Sequence, residues 1–582
     1  MQLICKSEFE RVYDSISDTY QRLEVIANMC RYNTLAAVKN AGSGHLGSSL
    51  SSMEILVWLY FNEMNIKKVD LSNPNRDIYF SSKGHDVPGQ YAVLHALGIL
   101  SDKQLLSLRR LNGLDGHPDV RIKGIEANSG SLGMGISKAK GMAWAKSHMK
   151  YNGHVYVLTG DGEFQEGQNY EALQSAFHQG ITGFTVIMDH NKVQSDKYID
   201  DIVSLGNLKE KIESFGWNVI SIDGNSFSDI DGAFTIRKQK CKENFFIIAN
   251  TIKGKGVSFM EHPNAMSLIN GLYPWHAGAP DDNSFNKAIE EIEDKIQKQL
   301  GLLNIEPVKF TDFETIISSL PKEIHLNELG EPISQASTQL HVSKATSEYV
   351  VEAFGKALLN EGKFHPELIV LDADLASDCR LRNFEYNLPE QFIENGIAEQ
   401  DMVSMAGGLA RMGLLPVVNS FAAFLASRAN EQIYNNATEL TKIIYAFHYG
   451  GLIPAGPGKS HQSVRDISLI GAIPNIEIFQ PCNSLEVEQI LSYCVNFAKS
   501  NCVIRMNISP SPQRIELPQG YVFTAGCGVE LTEGRDAVIF AYGPVMLNEA
   551  LKASEILRNE GLGLKVINMS SLNRMDENWF EG

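Results

Sequence analysis

One stretch limits the possible folds more than any other. HVYVLTGDG is an apolar strand ending at Gly160-Asp161-Gly162, EGQNYEALQSAFHQG has helical periodicity, and GFTVIMDHN is a second apolar strand ending near Asn191. Strand, helix and strand of these lengths make a βαβ unit with parallel strands and a right-handed crossover. A parallel sheet needs both faces covered, so the surrounding chain must supply further helices and strands. Short β-branched runs alternate with helical stretches along most of the chain, which predicts α/β architecture built on doubly wound parallel sheets. Ligands of such sheets bind beyond the carboxyl ends of the strands, where Asp161 and Asn191 both fall.

The 582 residues are about four times the roughly 150-residue length of one domain, and 43% apolar content suffices for full cores. A first domain is expected over residues 1–285, closing with FFIIANTIKGKG and the loop around His276. Residues 286–342 combine a charged helix (EEIEDKIQKQ) with the stretch LGEPISQASTQ and read as a linker. A second α/β pattern covers 343–520, from SEYVVEAFGKALLN through LIVLDADL to CVIRMN. Residues 521–582 hold only the strands DAVIFAYG and LKVINMS around one helix. Two parallel strands cannot bury both faces, so this partial third domain either is completed by another segment or polypeptide, or keeps an exposed edge.

A net charge of −18 disfavours nucleic acid and anionic membranes as partners. No run of about 18 apolar residues suggests a membrane helix, and MQLICKSEFERVYD lacks the pattern of a signal peptide. The eight cysteines are scattered without CxxC or metal spacing, as expected for small buried side chains in a reducing compartment. A soluble cytoplasmic protein is therefore expected. Gly458-Lys459-Ser460 mimics the end of a P-loop, but its first glycine would fall at Ile453.

The chemistry concentrates at Gly160-Asp161-Gly162-Glu163-Phe164-Gln165-Glu166-Gly167. Glycines let backbone approach a pyrophosphate, and the following helix turns its N-terminus to the same anion. The Asp161 carboxylate and Asn191 amide oxygen are hard ligands suited to Mg²⁺, which completes its shell with phosphate oxygens and water. A metal-bridged diphosphate is the natural ligand. GDG alone is also a common strand-end turn; the EG after it and the Asn ending the next strand give it weight.

This constellation resembles the thiamine diphosphate fingerprint, and the chain from about 20 to 570 resembles the transketolase family, motif by motif and in family order. The motifs are GSGHLGSSLSS (42–52), SKGHDVPGQYAVL (82–94), GLDGHPD (113–119), SGSLGMGIS (129–137), TIKGKG (251–256), YPWHAGAP (273–280), DADL (372–375), GIAEQDM (396–402), SFAAFLASRANEQI (420–433) and KSHQS (459–463). Their spacing is closer to the shorter bacterial and two-subunit transketolases than to deoxyxylulose-phosphate synthases.

The resemblance implies a diphosphate-binding domain, then a pyrimidine-binding domain, then a shortened C-terminal domain. It implies thiamine diphosphate with Mg²⁺ (or Ca²⁺ or Mn²⁺), a homodimer with sites at the interface, and ping-pong transfer of a two-carbon ketol unit between sugars. Carried over by motif, Glu399 acts on the aminopyrimidine, Phe421 and Phe424 pack against it, and Gly130 and Leu132 approach the cofactor from the other side. Gly160, Asp161, Gly162, Glu166 and Asp374 join the cofactor set, and Val193 joins Asp161 and Asn191 as a metal ligand. His45, His85, His117, His276 and His461 fall at substrate-channel positions, with His85 and His276 also at the cofactor; histidines there can exchange protons with sugar hydroxyls and a carbonyl. His190 and His95 match no motif and read as structural.

The pattern also breaks. Two arginines that usually hold the substrate phosphate are replaced by Ser347 and Ile508, while Arg505 matches a structural arginine. Pro457 takes the place of an Asp that reads a substrate hydroxyl. His448 is left as a phosphate contact, and Lys459 is a new cation. Losing both forks removes charge-assisted hydrogen bonds worth about 1.5–3 kcal/mol each, which points to a non-standard sugar. Two other readings stay open: a decarboxylating synthase that condenses pyruvate with an aldehyde, and a non-catalytic or partner-requiring subunit.

Overall fold

The computed structural model describes residues 1–66, 71–240, 243–269, 271–318 and 348–581. The chain divides into two compact units, Met1–Pro321 with Gly456–Ser460, and Lys322–Ala455 with His461–Gly582. Both are built on parallel sheets, giving two doubly wound α/β domains followed by a smaller third sheet.

In the first unit five parallel strands lie in the order Ile78–Ser81, Val155–Gly160, Phe184–His190, Phe245–Asn250, Asn218–Asp223. Side chains on a strand alternate between faces, and the two faces bury different cores. Tyr156, Leu158, Ile187, Ile247 and Ala249 join the core beneath the helix Thr19–Ala41. Val155, Val157, Val186, Met188, Phe246 and Ile248 join the other, with residues of the helices Gly135–His148 and Gly167–His178. Burial on both faces explains why these strands read as unbroken apolar runs rather than alternating ones. The expected βαβ unit forms with Val155 paired to Phe184 and Gly160 to Asp189, which puts Asp161 and Asn191 beyond adjacent strand ends.

The segment read as a linker begins with its expected charged helix, Asp282–Leu302, which buries Phe285, Ala288, Ile292, Ile296 and Leu300 in the first unit's core. Its charges occupy the outer face, and those five residues recur every three or four positions. The remainder of that stretch, with Ser347, lies outside the described residues from 319 onward.

The second unit's sheet has six parallel strands in the order Ile476–Phe479, Asn501–Arg505, Ile444–His448, Leu415–Phe421, Leu368–Asp372, Phe392–Glu394. It too feeds two cores, Val370, Val417, Ile444 and Ile504 into one and Leu371, Val418, Tyr445 and Val503 into the other. The third sheet carries the two expected parallel strands, Ala537–Ala541 and Leu564–Asn568, plus a short antiparallel one, Val529–Thr532, that the sequence reading missed. A register shift between Glu530 and Thr532 interrupts that strand, and its four residues show little apolar pattern. Ala537–Ala541 is an edge strand with Val538, Ile539 and Phe540 exposed. The seven described cysteines form no disulfide, and five are buried; Cys241 lies outside the described residues. Among the described residues no helix is long and apolar enough to cross a membrane.

Candidate active site

Four of the five histidines singled out by motif meet in the first unit. The His45 ring lies 5.6 Å from His85, 5.5 Å from His117 and 5.3 Å from His276, centroid to centroid, and His85 and His276 are 5.4 Å apart. They arrive from four separate loops, so the cluster is a product of the fold and not of local sequence.

Their hydrogen bonds assign the tautomers. Nδ1 of His85 faces the Lys83 carbonyl at 2.9 Å, and Nδ1 of His117 faces the Pro457 carbonyl at 2.6 Å. A carbonyl only accepts, so both rings carry the proton on Nδ1, and Nε2 is the basic nitrogen. Nδ1 of His45 instead faces Arg109 Nη2 at 3.3 Å, and Nδ1 of His276 faces Lys253 Nζ at 3.1 Å. Those partners only donate, so these two rings keep the proton on Nε2. The cluster therefore combines two proton acceptors with two proton donors.

All four are held neutral. Burial pushes His45 well below the usual imidazole range, helped by Arg109 and the neighbouring rings. Burial does the same for His85, with His276 and Lys83 adding to it, and for His276, with Lys253 adding to it. His117 is lowered to about 4, mostly by burial, against the opposing pull of its bond to Pro457.

At the strand ends nearby, Asp161 Oδ1 accepts from Gly162 N at 2.8 Å and Oδ2 from Lys192 N at 2.6 Å. His190, read as structural from sequence, places its Nδ1 3.2 Å from the same Oδ2. Asn191 Nδ2 donates to Asp189 Oδ2 at 3.2 Å, and its Oδ1 accepts from Val193 N at 3.1 Å, which fixes the amide's orientation. The Val193 carbonyl accepts from Lys253 Nζ at 3.1 Å. Lys253 lies in the TIKGKG motif, but its link to both Val193 and His276 depends on loops far apart in sequence.

Among the described residues no group of three or more His, Cys, Asp or Glu gathers as a metal site. A carboxylate, an amide and a backbone carbonyl suit a hard ion that takes its remaining oxygens from phosphate and water. Against His117, Gly130 has φ +108°, and a Cβ there would come within 2.7 Å of that ring. Backbone alone fits at that point, as a close approach to a ligand requires. Leu132 is partly exposed in the same loop, and a Cβ on Gly133 would lie 2.8 Å from Glu166 Cβ, so Glu166 packs against it.

In the second unit Glu399 opens the helix Glu399–Arg411 and is 2% exposed. Arg428 Nη1 donates to its Oε1 at 2.7 Å, and Oε2 is buried without a hydrogen-bond partner. An orphaned carboxylate oxygen is costly, and it fits the ring nitrogen of a bound pyrimidine. Arg428 also lies 4.3 Å over the Phe424 ring. Phe421 and Phe424 are 5.5 Å apart and stand 5.7 and 5.2 Å from His461; Tyr449, missed from sequence, lies 5.4 Å from Phe421. Asp374 is buried in the left-handed region at φ 59°, its N–H donating to Glu394 Oε1 at 3.0 Å.

Three residues at the breaks in the pattern behave differently. His448 is fully buried on Phe354, its Nε2 3.3 Å from Asn419 Oδ1, and burial lowers it to about 3. Its Nδ1 is buried without a hydrogen-bond partner. Ile508 packs against the second unit's core. Arg505 donates to Asp466 Oδ2 at 2.6 Å and to Gln480, a structural anchor.

Thiamine-diphosphate-type doubly wound domains are the class that this fold and these residues define. Three family models match the chain: the transketolase thiamine diphosphate binding domain over 23–266, the transketolase pyrimidine binding domain over 349–509 and the transketolase C-terminal domain over 526–581. Transketolase-like protein 2 of Mus musculus is 30% identical over 563 residues, 96% of this chain and 86% of that one. Transketolase of Homo sapiens is 30% identical over 560 residues, 96% and 85% of the respective chains. The solved transketolase from Leishmania mexicana aligns at 20% identity and a TM-score of 0.41, covering 96% of this chain and 87% of that one. The chain belongs to the transketolase family.

Proposed function

We propose that this protein binds thiamine diphosphate through Mg²⁺ (or Ca²⁺ or Mn²⁺) held by Asp161, Asn191 and the Val193 carbonyl, and transfers a two-carbon ketol unit from a ketose to an aldose as a homodimer. The observation that carries the reading is the unpartnered Oε2 of Glu399, 2% exposed and backed by Arg428. When bound, the cofactor would supply a nucleophilic C2 carbanion for ketol transfer. Glu399 Oε2 would donate a proton to the pyrimidine ring nitrogen and, as carboxylate, accept back from the resulting N–H, and Phe421 and Phe424 would pack on that ring's face. His85 and His117 present basic Nε2 atoms to substrate hydroxyls as they lose protons, and His45 and His276 present N–H donors to the carbonyl oxygen. His461 borders the aromatic end of the site.

The substrate is proposed to be a non-standard sugar, unphosphorylated or with its phosphate held elsewhere. Ile508 and Pro457 support this, because neither can donate to a phosphate or accept from a hydroxyl through its side chain. A donor panel tests it: fructose 6-phosphate, xylulose 5-phosphate and free ketoses, with thiamine diphosphate and Mg²⁺. Ketol transfer favouring a free ketose is expected. High-affinity turnover of both phosphorylated donors contradicts the substrate proposal, and CO₂ release from pyruvate in place of ketol transfer contradicts the reaction.

A further inference from the structure

The fourth residue of the GDGE sequence, Glu163, has no part in the chemistry above, yet it is 2% exposed. Its carboxylate faces three loops at once. Oε1 accepts from Gly133 N at 2.9 Å and from the Ser82 hydroxyl, and Oε2 accepts from Gly160 N at 3.1 Å. Ser82 Oγ in turn accepts from Gly135 N at 3.1 Å. Each loop carries part of the candidate site: Ser82 precedes His85, Gly133 follows Gly130 and Leu132, and Gly160 precedes Asp161. Sequence spacing alone gives no hint of this, because Ser82 and Gly133 are 81 and 30 residues away from Glu163.

We infer that Glu163 is a positioning residue that ties these three segments into one rigid seat for the metal-bound diphosphate. The inference rests on the cofactor reading above. The glycines explain why a side chain must do this work. A Cβ on Gly133 would lie 2.8 Å from Glu166, and one on Gly135 would lie 2.1 Å from Ser82 Oγ, so these loops pass too close to neighbours to carry anchoring side chains of their own. Their backbone N–H groups are buried donors that need an acceptor, and one carboxylate serves two of them. Burial pushes the Glu163 carboxyl upward, while Ser82, Gly133, Gly160 and the Lys83 ammonium pull it back toward the charged form.

Glutamine cannot replace it. With the amide oxygen toward Gly133 and Ser82, the NH₂ group meets the Gly160 N–H; flipped, it meets the Gly133 N–H. Either orientation sets donor against donor. Glu163→Gln is therefore a near-isosteric variant that breaks one tie without opening a cavity, and Glu163→Ala breaks all of them.

The test has two readouts on the full chain, with circular dichroism to select folded variants. The first is amide hydrogen exchange without cofactor. Exchange at Gly133 and Gly160 should rise by about tenfold or more in Glu163→Ala, and at one of the two in Glu163→Gln, as local opening becomes easier. The second is calorimetric titration with thiamine diphosphate plus Mg²⁺, where affinity should fall by about 10- to 100-fold, the usual effect of losing an outer-shell partner. Turnover at saturating cofactor should stay within a few-fold of the parent. Unchanged glycine exchange in Glu163→Ala overturns the inference, as does parental cofactor affinity in both variants. If the parent protein binds no cofactor while the glycine amides still respond to Glu163→Ala, the tie between loops stands and the cofactor reading alone fails.

Discussion

Arg428 Nη1 donates to Glu399 Oε1 at 2.7 Å and leaves Oε2, deep in the second unit, with nothing to accept from. The pair is lopsided: the arginine neutralises the carboxylate but satisfies only one of its oxygens. Such an arrangement is poor for stability and suitable for holding a ligand.

Substitutions here should separate stability from activity. Glu399→Gln removes the buried charge and should change Tm little, while lowering kcat by at least about 100-fold, the scale of a lost proton-transfer group. Arg428→Ala strands the buried carboxylate and should cost about 3 kcal/mol of stability. Thermal melts and initial rates on the same preparations check both.

The histidine cluster sets a pH limit. His117 titrates near 4 when folded and near the ordinary value of about 6.5 when unfolded. The unfolded chain thus takes up protons first as pH falls, and stability present above about 6.5 is lost progressively toward 4. His45, His85 and His276, all lowered, add to the same trend. Melts from pH 8 to 4 should show Tm falling below pH 6.5, and His117→Gln should flatten the curve.

Lys83 is 1% exposed and donates to Asp189 Oδ2 at 2.6 Å, and the same oxygen accepts from Asn191 Nδ2 at 3.2 Å. Lys83→Met should destabilise the protein by about 3–5 kcal/mol, because Asp189 is left charged and buried. Adding Asp189→Asn should recover part of that loss in denaturant titrations, since only Asp86, 3.7 Å from Lys83 Nζ in the parent, is then left without its cation.

Asp372 and Glu394 are register partners on adjacent strands, and burial together with the facing carboxylate of Glu394 holds Asp372 well above the usual carboxylate range. An acid raised in the folded state opposes folding as pH rises past its unfolded value. Asp372→Asn keeps an acceptor for Leu375 N, bonded at 2.8 Å in the parent. It should therefore raise stability at pH 7 by on the order of 1 kcal/mol, the worth of about one pKa unit. Parallel denaturant titrations at pH 5 and 7 should show a larger gain at pH 7.

The parallel sheets were legible because strands buried on both faces read as apolar runs, and the turn at Gly160 to Gly162 marks where the strand Val155–Gly160 ends. The residues around His45, His85, His117 and His276 could be marked by motif, but their meeting within 6 Å depends on four loops that no local pattern connects. Arg428, Lys253 and Tyr449 stayed hidden for the same reason, since a lone side chain in sequence does not disclose which distant group it meets. The contact of His190 with Asp161 could not be read from sequence, because His190 is the final residue of a buried strand and its partner follows the end of the neighbouring one. The helix Asp282–Leu302 was legible as a charged helix, but its packing was not, because its charges outnumber its apolar residues even though five of those apolar side chains fall on one face.

The most direct measurement is anomalous diffraction from crystals grown with thiamine diphosphate and Mn²⁺. The account predicts a manganese peak at about 2.0–2.3 Å from oxygens of both Asp161 and Asn191, and Glu399 Oε2 within hydrogen-bonding distance of the pyrimidine ring. A peak away from those two side chains, or a Glu399 carboxylate turned from the ring, would contradict it.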